Sequence, residues 1–227
     1  MDQTLPSPPN RFTARVLQAR ELSPTGFELT FERGPLRFRA GQLAVVHGRA
    51  MLEERSYTIC SGENDPVLQI VYRLIPDGRL TPWLHTLRPG DTVELSAPYG
   101  EFTLRDPTRP LVFIATGTGI APARAFHRTY PDLDLTIVHG VRTAADLFYR
   151  EELGRRAYFP CVSGEPGVGF SGRVTAFCAG QGFPAHAHYY LCGANAMFYD
   201  MRDLLTARGV PPGHLFTEAY YYDADDA

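Results

Sequence analysis

Two stretches of this chain combine residue types suited to holding a flat, charged ligand. The first is Ile114-Ala115-Thr116-Gly117-Thr118-Gly119-Ile120-Ala121-Pro122. An apolar run from Leu111 to Ala115 ends there, glycines turn the chain, and a proline stands near the start of an expected helix. Missing side chains let a phosphate approach the backbone, and a helix N-terminus favours an anion. A bare Gly-x-Gly serves a tight βα turn equally well, and it is not the Gly-x-Gly-x-x-Gly dinucleotide fingerprint. The second stretch is Arg55-Ser56-Tyr57-Thr58. It puts a cation, an aromatic face and a hydroxyl on one short segment, although Tyr and Thr alone are simply good strand formers. Further on, Cys192 closes an apolar run and Glu218 precedes three tyrosines. A lone cysteine in that setting is ordinarily a small buried hydrophobe.

The elements that must position these residues fall into two sets. Short strand signals cover Phe12 to Ala19, Gly26 to Glu32, Gly41 to His47, Arg55 to Cys60, Val67 to Leu74 and Asp91 to Ser96. Turn residues separate them, which predicts a six-stranded antiparallel β-barrel. One helix interrupts the series, with Thr81 as N-cap, Pro82 first in the helix, and Arg88-Pro89-Gly90 as its stop. Asp106-Pro107-Thr108-Arg109-Pro110 reads as a linker. Strands then alternate with helices. Strands are expected at Leu111 to Ala115, Leu135 to Gly140, Ala157 to Ser163, His188 to Cys192 and His214 to Phe216. Helices are expected at Ile120 to Tyr130, Ala144 to Leu153, Ser171 to Cys178 and Ala194 to Arg208. That alternation predicts an α/β doubly wound parallel sheet. The expected domains are residues 1–105 and 106–227.

Composition removes several function classes. All 22 basic residues are arginine, and a Walker-type phosphate loop needs a lysine. A net charge of −3 argues against a nucleic-acid surface. The cysteines (Cys60, Cys161, Cys178, Cys192) are too widely spaced for a zinc site or an iron–sulfur cluster, so no metal is expected. No apolar run has the length of a membrane span, and Met1 to Asn10 lacks a signal-peptide core. The expected location is the cytoplasm.

Six short motifs stand in an order that identifies a family. Arg55-Ser56-Tyr57-Thr58 is similar to a flavin signature, Arg-x-Tyr-(Ser/Thr), and Asp77-Gly78-Arg79-Leu80-Thr81 to a flavin-phosphate segment. Pro98-Tyr99-Gly100-Glu101-Phe102 resembles a Pro-x-Gly-x-Phe hinge, and Thr116 to Pro122 a pyridine-nucleotide loop. Gly140-Val141-Arg142 with Asp146-Leu147-Phe148-Tyr149, and Cys192-Gly193-Ala194-Asn195-Ala196-Met197, complete the set. Nearly the whole chain resembles the ferredoxin–NADP(+) reductase superfamily, in its stand-alone bacterial flavodoxin/ferredoxin–NADP(+) reductase form.

The resemblance implies roles. Arg55 would pair with flavin phosphates, Tyr57 would cover one face of the isoalloxazine, and Thr58 would address the hydride-accepting N5. Ser56, pointing the other way along the strand, should matter least. Val71, Tyr72, Gly78, Leu80 and Thr81 complete the flavin segment. Thr116, Gly117, Thr118, Gly119 and Pro122 would hold the coenzyme. Cys192, Gly193 and Glu218 would shape the nicotinamide site, with Thr58, Cys192 and Glu218 as catalytic residues. Met197 joins the motif, although its place one turn into a helix also fits core packing. Tyr221 is the first choice to cover the second flavin face and Tyr220 the second choice.

The same resemblance implies FAD rather than FMN, and an external ferredoxin or flavodoxin as partner of a monomeric enzyme. Arg11, Arg15, Arg33, Arg37, Arg39 and Arg49 could steer such an acidic partner. NADPH is preferred to NADH because Arg142, Ser163 and Arg173 lie where an extra phosphate would be read. Yet Ser163 is followed by Gly164 where relatives often carry an arginine, and Arg173 also fits a solvated surface residue. The alternatives are an NADH-dependent reductase component of an oxygenase system, and a flavin-binding electron-transfer subunit without independent turnover.

Overall fold

The computed structural model describes residues 11–48 and 53–220. Tyr221, Arg49 and the acidic tail lie outside the described residues.

Six strands make the first sheet: β1 (Arg11–Glu21), β2 (Gly26–Glu32), β3 (Leu43–His47), β4 (Glu54–Thr58), β5 (Val67–Arg73) and β6 (Thr92–Ser96). Their order is β4-β3-β6-β1-β2-β5, with every pairing antiparallel. The sheet curls until its edges meet, where Ile59 bridges Ile70 and the Cys60 N–H donates to Gln69 O at 2.9 Å. Alternate residues point inward, so Leu29, Phe31, Val46, Ile59, Leu68, Ile70 and Leu95 form the barrel core. Helix α1 (Leu80–Thr86) adds Leu80 and Leu84 to that core.

Thr81 is not the N-cap. Arg79 holds that position without a side-chain bond, and Thr81 lies in the first turn. Its hydroxyl accepts the Ile75 N–H at 2.9 Å and donates to Ile75 O at 3.3 Å. A threonine hydroxyl can serve only nearby partners, and here the turn before α1 takes it.

The second sheet contains β7 (Leu111–Thr116), β8 (Leu135–Val141), β9 (Ala157–Val162), β10 (Phe170–Ser171), β11 (His188–Ala194) and β12 (Leu215–Tyr220). The order is β10-β9-β8-β7-β11-β12, all parallel. Helix α2 (Ala121–Thr129) packs on one face with the barrel behind it. Helices α4 (Val174–Ala179) and α5 (Asn195–Ala207) cover the other. The strand order reverses beside β7, and in open parallel sheets the ligand crevice lies at such a point, beyond the strand C-termini.

The expected helix at Ala144 to Leu153 is broken. A 3-10 turn at Ala144–Asp146 is separated from α3 (Arg150–Leu153) by Tyr149, whose φ of 59° is left-handed. Both ends of the break are engaged by the barrel. Asp146 Oδ1 accepts the Ser23 hydroxyl at 2.6 Å, and Tyr149 donates to Glu28 Oε2 at 2.8 Å. Contacts between the two halves outweigh local helix propensity. The segment expected as a helix from Ser171 begins instead with β10, and the last strand runs further than His214 to Phe216.

A buried polar cluster seals the contact between the halves. Arg124 of α2 reaches Glu28 Oε2 at 3.3 Å, Glu152 Oε2 at 2.9 Å and Gln69 Oε1 at 3.0 Å. Its guanidinium carbon lies 4.2 Å from the centre of the Tyr149 ring.

Candidate active site at the junction of the two sheets

Register puts the chemistry in one row. In the parallel sheet His139 pairs with Ala115, Ala115 with Cys192, and Cys192 with Glu218. Partnered residues point to the same face, so these side chains line the barrel side of the strand C-termini. From the barrel, Thr58 at the end of β4 donates its hydroxyl to Glu218 Oε1 at 2.9 Å. Thr58 and Cys192 are buried. Burial pushes the Glu218 carboxyl up to about 7, against the opposing effect of the Thr58 hydrogen bond. Near neutral pH that carboxyl can therefore either hold or release a proton.

The glycine loop follows β7 directly. Gly117 has φ 52°, and a Cβ there would meet open space, so the loop is exposed on that side. The chain continues through a 3-10 turn (Gly117–Ile120) into α2, with Pro122 at the second helical position. Gly119 lies against the Cys192 carbonyl. The Thr116 hydroxyl accepts the Ala194 N–H at 2.9 Å, tying the loop to the Cys192-Gly193 turn. Bare backbone at a helix start fits a phosphate.

On β4, alternation sets Arg55 and Tyr57 on one face and Ser56 and Thr58 on the other. Arg55 is exposed and pairs with Glu53 at 3.2 Å. Tyr57 is half-buried, with its ring centre 6.4 Å from that of Tyr72. The Ser56 hydroxyl meets the Tyr99 hydroxyl at 2.5 Å. An exposed cation and a partly open aromatic ring on one face fit a flat ligand with a phosphate tail.

Several of the expected binding residues also make packing or turn contacts within the chain. Tyr72 sits in the barrel core and Val71 in the core between the halves. Leu80 is buried, and Gly78 closes a turn through its N–H to Ile75 O at 3.0 Å. Met197 packs with Val112 and Leu191 on the sheet face opposite Cys192.

Arg142, Ser163 and Arg173 do come together at the C-terminal edge of β8, β9 and β10. Ser163 N–H donates to Val141 O at 3.0 Å, Gly164 N–H to Arg142 O at 2.8 Å, and Gly172 N–H to Val162 O at 2.9 Å. Arg142 and Arg173 are exposed. A Cβ on Gly164 would lie 2.6 Å from the Arg142 carbonyl oxygen, so an arginine side chain there demands a backbone shift. Among the steering arginines, Arg33 is committed to the carbonyls of Leu36, Glu63 and Asp65.

The sequence drew no attention to His139 or Arg124. Their signal was present: a titratable residue inside an apolar run must find a partner when buried.

A barrel joined to a doubly wound sheet, with a phosphate-type loop and an acid–hydroxyl pair at the seam, defines the class of flavin- and nicotinamide-linked oxidoreductases. Family comparison agrees. The Oxidoreductase FAD-binding domain family matches residues 13–104, and the Oxidoreductase NAD-binding domain family matches residues 113–203. Ferredoxin--NADP reductase B of Sorangium cellulosum is 31% identical, over 92% of this chain and 97% of that one. The reductase subunit of an Amycolatopsis aromatic O-demethylase is 32% identical, over 82% of this chain and 62% of that one. A solved ferredoxin NADP+ reductase from Neisseria gonorrhoeae superposes with a TM-score of 0.84 at 20% identity, covering 93% of this chain and 99% of that one. The chain belongs to the ferredoxin–NADP(+) reductase superfamily. Its activity is flavin-dependent electron transfer, with FAD and a nicotinamide coenzyme as the redox groups. No helix among the described residues is long and apolar enough to cross a membrane.

Proposed function

We propose that this protein is an NADPH-dependent reductase that exchanges electrons with an external ferredoxin or flavodoxin. In this reading residues 1–105 hold FAD and residues 106–227 hold the coenzyme. The observation that carries it is the Thr58–Glu218 hydrogen bond of 2.9 Å, which joins the flavin-type strand to the nicotinamide-type sheet. Bound FAD supplies the exchange between two-electron and one-electron chemistry.

The chain's own residues bind, orient and move a proton. Arg55 takes the flavin phosphates, leaving Glu53 to do so, and Tyr57 provides an aromatic face. Thr58 orients the reacting edge and Glu218 holds or yields a proton there. The Gly117–Gly119 backbone and the start of α2 take the coenzyme pyrophosphate. Arg173 and Arg142 take the additional phosphate of NADPH.

The missing side chain at Gly164 favours a second reading, in which NADH is the coenzyme of an oxygenase reductase component. Anaerobic reduction of the flavin by NADPH and by NADH separates the two. The flavin should be extracted and identified first. Faster bleaching at lower NADPH concentration, followed by reoxidation on adding ferredoxin or flavodoxin, is the expected result. Preference for NADH would favour the oxygenase reading. A yellow protein that neither coenzyme bleaches would favour a binding subunit without turnover. Cytoplasmic location and a monomeric state belong to the same proposal, and light scattering after size-exclusion chromatography tests the latter.

A further inference from the structure

The glycine loop has a backbone support that none of the six motifs includes. His139, wholly buried on β8, places Nε2 3.0 Å from the Gly117 carbonyl oxygen. Its Nδ1 lies 2.9 Å from the Tyr158 hydroxyl on β9. A carbonyl oxygen only accepts, so Nε2 carries the hydrogen and donates. The neutral ring then has a single acceptor, Nδ1, and Tyr158 donates to it. Burial pushes His139 down to about 4, which keeps the ring in this neutral form at physiological pH.

The bond to Gly117 has a consequence at the next residue. In a planar trans peptide the C=O and N–H groups point in opposite directions. With the Gly117 carbonyl held against His139, the Thr118 N–H is aimed away from it. Gly117, at φ 52°, has no side chain to resist rotation of that peptide. The imidazole therefore supplies a restraint that the glycine cannot.

We propose that His139 is a positioning residue for the coenzyme loop, with Tyr158 fixing its tautomer, so that the Gly117–Thr118 peptide keeps the orientation in which the loop receives the coenzyme pyrophosphate. The inference rests on the reading that this loop takes the pyrophosphate. Because NADPH and NADH share that group, both coenzymes should respond equally.

The test uses the FAD-loaded enzyme and variants His139→Leu, His139→Gln and Tyr158→Phe. His139→Leu should raise KM for both coenzymes about tenfold while kcat and flavin content stay near wild type. His139→Gln, whose amide can donate to the same carbonyl, should recover most of the loss. Tyr158→Phe keeps the imidazole but frees its tautomer, and should raise both KM values about threefold. An unchanged KM in a folded His139→Leu enzyme overturns the inference, as does an effect confined to NADPH. If His139→Leu does not fold, Tyr158→Phe decides, and an unchanged KM in it overturns the inference equally. If neither coenzyme reduces the wild-type flavin, the reading of the loop itself has failed and the inference falls with it.

Discussion

Thr58 and Glu218 stand 160 positions apart in the chain and share a 2.9 Å hydrogen bond. One ends a barrel strand, and the other lies in the last strand of the parallel sheet, in register with Cys192. Their contact puts the candidate site at the seam between the halves.

Glu218→Gln should remove a titration. The wild-type rate of flavin reduction is expected to change with a midpoint of about 7, where burial has pushed the carboxyl. The glutamine variant should give a flat profile in stopped-flow measurements across the same range. Stability carries the same signature. A carboxyl raised in the folded state stabilises the fold below its unfolded value, and that contribution is lost as pH rises from 4.5 to about 7. Glu218→Gln should lack this slope in urea titrations.

Thr58→Ala and Tyr57→Ala should split flavin chemistry from flavin binding. Losing one hydroxyl contact, worth ~1 kcal/mol, should slow reduction about fivefold with flavin retained. Since the Thr58 bond lowers the Glu218 pKa, its removal should also move the kinetic midpoint upward. Tyr57→Ala removes an aromatic face and should weaken flavin binding about tenfold, read by fluorescence on dilution. The reverse pattern would mean that the two residues have exchanged roles.

Arg173→Ala should raise KM for NADPH several-fold and leave NADH nearly unchanged, as expected from losing one charge-assisted phosphate contact. Equal effects on both coenzymes would remove Arg173 from phosphate recognition. This outcome differs from that expected for His139, where both coenzymes respond together.

Arg124→Ala should be costly to stability. Glu28, whose side chain is 1% exposed, would lose its partner at 3.3 Å and keep Arg20, Tyr149 and the Gln69 amide. Removing one member of a buried ion pair costs about 3 kcal/mol, visible as a lower urea midpoint. The charge-balanced pair Glu28→Gln with Arg124→Met should recover most of that loss. A double variant no better than the single one would argue that packing, not charge, holds the interface.

The strand Arg55 to Thr58, the glycine loop and the barrel-then-sheet order were all legible in the residues. Each depends on local rules: alternation in a strand, glycines between a buried strand and a helix, turn residues at short spacing. Local rules also account for the errors. Thr81 had the composition of an N-cap, yet its hydroxyl closes the turn at Ile75. Residues 144–153 had a helical pattern, yet Asp146 and Tyr149 are taken by barrel residues more than a hundred positions away.

What the sequence determined by itself was therefore the kind of elements, their order, and the family whose motifs they carry. The tertiary structure alone decided which side chains meet. Thr58 finds Glu218, His139 finds Gly117 and Arg124 finds Glu28 across separations of 160, 22 and 96 residues. A hydroxyl, an imidazole and a guanidinium leave no periodic trace along the chain. Burial makes an unpaired polar group expensive, and only the packed fold settles which partner each one reaches.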